Sequence, residues 1–118
     1  MTNKRNNVIV EKSYKLALDV IKVYSELKSQ NEFDLSRQLL RAGTSIGANI
    51  QEAQSAQSRK DFIHKLSIAQ KESKETIYWI NLLKDSSILE LQKANRILIQ
   101  AREVDKILAS ILITTKNS

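Results

Sequence analysis

The sequence predicts an all-α fold: an up-down-up-down antiparallel four-helix bundle, one domain over residues 1–118, built to be oligomeric. Three observations lead there. Proline is absent and glycine occurs only twice, so almost nothing interrupts helices. Four long segments of helical periodicity, covering about residues 8–29, 35–54, 59–84 and 88–114, are separated by short polar breaks at Gln30–Phe33, Ser55–Ser58 and Asp85–Ser87. A hydrophobic content of 42% beside 27% charged residues fits a folded chain rather than a disordered one.

In the first segment Val10, Tyr14, Ala17, Ile21 and Tyr24 recur at steps of four and three, with Leu16, Val20, Val23 and Leu27 in an adjoining stripe. Together they predict a wide buried face. Asp34 is placed to cap the second helix, whose Leu35, Leu39, Ala42, Ile46, Ile50 and Ala53 share an arc of about 80° and should face the core. Ser58 to Asp61 resembles a capping box and opens a third helix with an inner stripe of Phe62, Leu66, Ala69, Ser73, Ile77 and Ile80. Ser87-Ile-Leu-Glu90 has the fuller form of that box and predicts the start of the fourth helix. One stripe there is Leu91, Ala94, Leu98, Ala101, Leu108 and Leu112, and a second is Ile97, Val104, Ile107 and Ile111. These stripes, with Ile68, Trp79 and Leu82 on the flank of the third helix, exceed what a lone bundle hides. Self-association follows as an expectation; a wide core with scattered exposed apolar residues is the alternative.

Composition narrows the chemistry. No cysteine is present and His64 is the one histidine, so disulfides, thiolate sites and most zinc or di-iron arrangements lack their parts. Asp61 and His64 have the i, i+3 spacing of carboxylate metal bundles, but such bundles need a second acid-histidine pair. No metal, cofactor or catalytic residue is therefore expected, and the protein reads as no enzyme. No apolar run reaches the roughly 20 residues that cross a bilayer, and the N-terminus lacks the apolar stretch of a secretory signal, so no membrane partner and a cytoplasmic location are expected.

The stretch Arg41-Ala-Gly-Thr-Ser-Ile-Gly-Ala-Asn49 is the least ordinary. Gly43 and Gly47 each cost about 1 kcal/mol in a helix relative to alanine, which close packing of another helix or a ligand would explain. Gln38, Arg41, Ser45, Asn49 and Glu52 form a polar stripe beside the core arc. It is either a recognition strip, with Arg41 on a phosphate or carboxylate, or a hydrogen-bonded seam between helices or, in an assembly, between subunits, in which Glu52, Glu72 or Glu75 neutralises Arg41. Glu72 and Glu75 lie one turn apart with Trp79 on the same flank, so a nearby arginine could pair with the acids and stack on the indole. The net charge of +6 leans toward acidic partners. Its basic residues are dispersed, with pairs at Lys4-Arg5 and Arg59-Lys60 and a looser set of Lys65, Lys71, Lys74, Lys93, Arg96, Arg102 and Lys106. Several copies around an axis would multiply that signal, whereas one copy alone shows ordinary solvated helix faces.

The run from Gln38 to Ala53, followed by Ser58, Phe62, Leu66-Ser-Ile-Ala69 and Lys71 to Trp79, resembles the four-helix-bundle proteins encoded in intervening sequences of bacterial 23S ribosomal RNA genes. The resemblance implies a small homopentameric bundle of the bacterial cytoplasm with a proposed link to ribosomal RNA. That family in turn resembles the accessory variability proteins of diversity-generating retroelements, which are basic pentamers that bind nucleic acid and a reverse transcriptase. One departure stands out, Gln51-Glu-Ala53 in place of the Ala-Glu-Gly of many relatives, and at Lys71-Glu72 the chain follows a Lys-Glu variant rather than the Gly-Ser of many members. The expected activity is non-enzymatic binding of structured RNA or other nucleic acid through a pooled basic surface, with Arg41, Arg59, Lys60, Lys65, Lys93 and Arg96 as candidate contacts. A protein-interaction or structural module with incidental charge is the alternative.

Overall fold

The computed structural model describes the backbone of residues 4–118 and the side chains of residues 7–118. Four helices make up the described chain: α1 (Lys4–Ser29), α2 (Asp34–Gln54), α3 (Arg59–Asp85) and α4 (Leu91–Lys116). Each packs on its neighbour in the chain, and α1 closes the circle against α4, giving a particle of 46 × 20 × 19 Å. Partners run in opposite order along the helix pairs: Lys12 meets Glu103 while Glu26 meets Lys93, and Glu52 meets Lys65 while Arg41 meets Glu72. The pair Lys4-Arg5 has its side chains outside the described residues.

The turns explain where the helices stop. Asn31, with φ of 64°, ends α1 in the left-handed conformation that asparagine tolerates, and Glu32 N–H returns to the Leu27 carbonyl at 2.9 Å. The expected cap at Asp34 does not form. Helix α2 begins at Asp34 itself, so this carboxylate sits inside the first turn, 3.4 Å from Arg37, and Glu32 Oε1 accepts from Leu35 N–H at 2.9 Å instead. Ser58 does cap α3, its Oγ accepting from Asp61 N–H at 3.0 Å, while Asp61 reaches back to Gln57 N–H at 3.4 Å. The second expected box, Ser87 to Glu90, is overturned. Ser87 adopts φ of 62° to terminate α3, Ile88 and Leu89 N–H groups both reach the Leu83 carbonyl at 3.0 Å, and Leu89 folds into the end of the core. Helix α4 therefore starts at Leu91 rather than residue 88, with no side-chain cap on its N-terminus.

One apolar core runs along the axis. Helix α1 buries Ile9, Ser13, Leu16, Val20, Val23 and Leu27, at steps of four and three. The Tyr14 stripe expected beside it is not buried: Tyr14 is 66% and Ile21 43% exposed, and Val10, Ala17 and Tyr24 are half-buried. Helix α2 buries the expected arc, with Leu35 half-buried at its end. In α3 the buried set is Leu66, Ala69, Ser73, Thr76, Ile80 and Leu83, so Thr76 and Leu83 join the core while Phe62 and Ile77 pack at its edge. Both α4 stripes enter the core, except that Leu91 is 60% exposed and Ile107 packs at its edge. Each fully buried leucine or isoleucine contributes about 1.5–3 kcal/mol, and the buried hydroxyls cost little because each bonds within the fold. Ser13 and Thr76 donate to their own helix at the Val10 and Glu72 carbonyls, at 3.1 and 2.8 Å.

The two glycines have different roles. A Cβ on Gly43 would stand 2.8 Å from both Val20 methyls, so its absence sets how closely α1 and α2 approach. A Cβ on Gly47 would be 3.5 Å from Ser13 Oγ, an ordinary contact.

Candidate functional site

Charge is distributed unevenly over the four helices. Helix α1 has six basic and three acidic residues and α4 has five and two, so this adjoining pair carries a net +6. Helix α2 is balanced at two and two, and the excess of α3, six against four, is offset by Glu32 and Glu90 in the turns. The excess of positive charge therefore lies on the two adjoining helices α1 and α4.

On the α1–α4 face cations outnumber the acids that order them. Lys12 Nζ lies 3.1 Å from Glu103, Lys15 is 3.3 Å from Asp19, Lys22 is 4.0 Å from the same carboxylate, and Lys93 pairs with Glu26. Gln100 Nε2 donates to Asp19 at 2.8 Å across the two helices. Burial works to raise the pKa of Asp19, but the hydrogen bond from Gln100 and the charges of Lys15 and Lys22 outweigh it, holding the carboxyl below its usual range. A recess of about 80 Å³ bounded by Asp19, Lys22, Glu26, Lys93 and Arg96 opens between the helices. Arg96 is exposed at its rim and forms no ion pair with a described residue. Lysines 15 and 22 keep side-chain exposures of 71% and 78%, so their ammonium groups stay open to solvent beside the acid they share.

The polar stripe of α2 lies instead along the seam with α3. Arg41 Nη1 is 3.2 Å from Glu72 Oε1, its Nη2 bonds to Glu75, and Glu75 also accepts from the Trp79 indole N–H at 3.2 Å. Trp79 thus joins the cluster through its ring nitrogen. Desolvation works to lower the Arg41 pKa, but Glu72 and Glu75 together outweigh it and leave it raised, so the guanidinium stays charged. Glu52 takes Lys65 at 2.8 Å, and this pairing raises the lysine pKa. Asn49 donates to Ser45 O at 2.9 Å within α2, and Gln38 is exposed.

The six candidate cations accordingly divide. Arg41, Lys65 and Lys93 are paired with carboxylates, and Arg59 donates to the Thr115 carbonyl at the end of α4. Lys60 and Arg96 are exposed without an ion pair among the described residues. Lys15 and Lys22 escaped the sequence reading, although their spacing places them toward α4 once the Leu16 stripe is recognised as the inner one. His64 is exposed and Asp61 is engaged at the α3 cap. Among the described residues no group of three or more His, Cys, Asp or Glu is placed to hold a metal, and no helix is long and apolar enough to cross a membrane.

The sequence pattern described as 23S rRNA-intervening sequence protein matches residues 5–110. Among solved structures, one from Bacteroides thetaiotaomicron, described as a protein with unknown function from the S23 ribosomal protein family, is 45% identical with a TM-score of 0.89. The similarity covers 92% of this chain and 97% of that one. No curated protein shows significant similarity.

Proposed function

This chain belongs to the 23S rRNA-intervening sequence protein family, and on that premise we propose that it is a non-enzymatic, self-associating up-down-up-down bundle of the cytoplasm that binds structured RNA through its α1–α4 face. Five is the copy number that the resemblance of its motifs implies. One observation carries the reading: the full net charge of +6 is concentrated on two adjoining helices, where Lys15, Lys22 and Arg96 stay open to solvent. The mechanism is attraction of phosphates with release of their counterions, without readout of base edges. Copies sharing an axis repeat that face and increase the number of phosphates met at once.

Titration against ribosomal RNA fragments at 50 and 200 mM salt tests it. About four phosphate contacts predict a loss of affinity near 100-fold between those conditions. Absence of binding at low salt, or binding indifferent to salt, contradicts the proposal.

The Arg41–Glu72–Glu75–Trp79 seam favours a second reading, a protein-interaction or structural module. Its charges are satisfied within the chain, which suits a scaffold rather than an anion site. Under that reading the protein self-associates normally and RNA binding is absent at every salt concentration.

A further inference from the structure

We propose that the groove between α1 and α2 is a socket that receives the outer face of α4 from a second copy of this chain. The inference rests on the self-association put forward above and specifies the surfaces that carry it. The groove encloses about 440 Å³ and is lined by Val10, Tyr14 and Ala17 of α1 and by Thr44, Gly47 and Ala48 of α2, with Glu11 as the one charged side chain among its lining. Glu11 forms no ion pair with a described residue.

The outer face of α4 has the complementary character. Ile99 and Ile113 are 68% and 62% exposed, and Arg102 and Lys106 lie between them in the chain, exposed and without a carboxylate partner among the described residues. Positions 99, 106 and 113 recur every seven residues and so lie along one side of the helix, spanning about 21 Å. Nine large apolar side chains are exposed among the described residues. Tyr14 lines the groove and Ile99 and Ile113 form the outer side of α4, so three of the nine belong to these two surfaces. Two exposed isoleucines with the Lys106 cation between them on the same side of α4 thus meet an apolar groove edged by the Glu11 anion, and the apolar surfaces would leave water on contact. Socket and ridge are different surfaces of one chain, so the contact is head-to-tail and closes a ring or extends a filament rather than stopping at a two-fold dimer.

Two variants separate the halves of this contact. Ala48→Arg fills the socket with bulk and a cation facing Arg102 and Lys106, and the pair Ile99→Asn with Ile113→Asn strips the ridge; all three positions are exposed, so circular dichroism should report unchanged helicity. Native mass spectrometry should find the wild type as a multiple of the 13.5 kDa chain and each variant as a single chain. Mixed in equal amounts, the variants should pair the one intact socket with the one intact ridge and stop at two chains. Folded variants that keep the wild-type mass overturn this surface and leave self-association standing, as does a mixture that stays entirely at single chains. A wild type found as a single chain overturns the surface and the self-association together.

Discussion

The α2–α3 seam and the α1–α4 face both contain arginine, lysine and carboxylates, yet they dispose of their charge in opposite ways. In the seam Arg41 sits between Glu72 and Glu75, and Lys65 is matched by Glu52, so cations and anions balance within contact distance. On the α1–α4 face Asp19 is shared by Lys15 and Lys22, and Arg96 stands beside the Lys93–Glu26 pair with no acid of its own. A basic residue is informative about an acidic partner only after the acids around it are subtracted. That subtraction removes Arg41, Lys65 and Lys93 from the strongest candidates, keeps Lys60 and Arg96, and adds Lys15 and Lys22, which share one carboxylate between them.

The largest effect that would break this contrast is loss of RNA binding. Replacing Lys22 and Arg96 together by glutamate should weaken low-salt binding of an rRNA fragment about 100-fold, near 2.7 kcal/mol, because four units of charge change on the face. Both side chains are exposed, so thermal unfolding should move little. Equal loss from reversing Lys71, an exposed cation of α3, would erase the distinction between the faces.

A middle-sized effect sharpens the other side. Arg41→Ala leaves Glu72, only 13% exposed, facing Glu75 without a cation, and should cost about 1 kcal/mol in a denaturant titration after allowance for the half-exposed guanidinium. RNA affinity should hold within about twofold. The smallest effect is at Asp19. Its folded pKa is lowered, so its contribution is present above the unfolded value near 3.9 and disappears as pH falls through the folded value. Asp19→Asn should therefore lower stability by about 0.5–1 kcal/mol at pH 7, and the gap from wild type should close on acidification below the ordinary carboxylate range.

Much of the fold is legible in the residues, and the exceptions have physical causes. The core arc of α2 and the Ser58 cap can be read because one apolar stripe and one hydroxyl have no competitor nearby. Helix α1 offers two adjacent stripes, and the inner one contains Ser13, which interrupts its apolar run but is admitted to the core by bonding its own helix at Val10. Thr76 entered the α3 core in the same way, through the Glu72 carbonyl. Ser87-Ile-Leu-Glu90 satisfies a helix-start pattern, but burial of Leu89 requires the chain to turn back first, and Ser87 takes the left-handed position that allows it. For the candidate site, residue spacing offered Glu72 and Glu75 as partners for Arg41, since all three lie on helix flanks. The ladder between α1 and α4 joins residues 67 to 91 positions apart, and only the folded arrangement reveals it.

Lysine acetylation followed by mass spectrometry, with and without a ribosomal RNA fragment, tests the central claim most directly. Bound RNA should protect Lys15 and Lys22 while leaving Lys65 and Lys71 as reactive as in the protein alone. Protection concentrated on the α2–α3 side, or no protection anywhere under conditions where RNA is bound, would contradict the assignment of binding to the α1–α4 face.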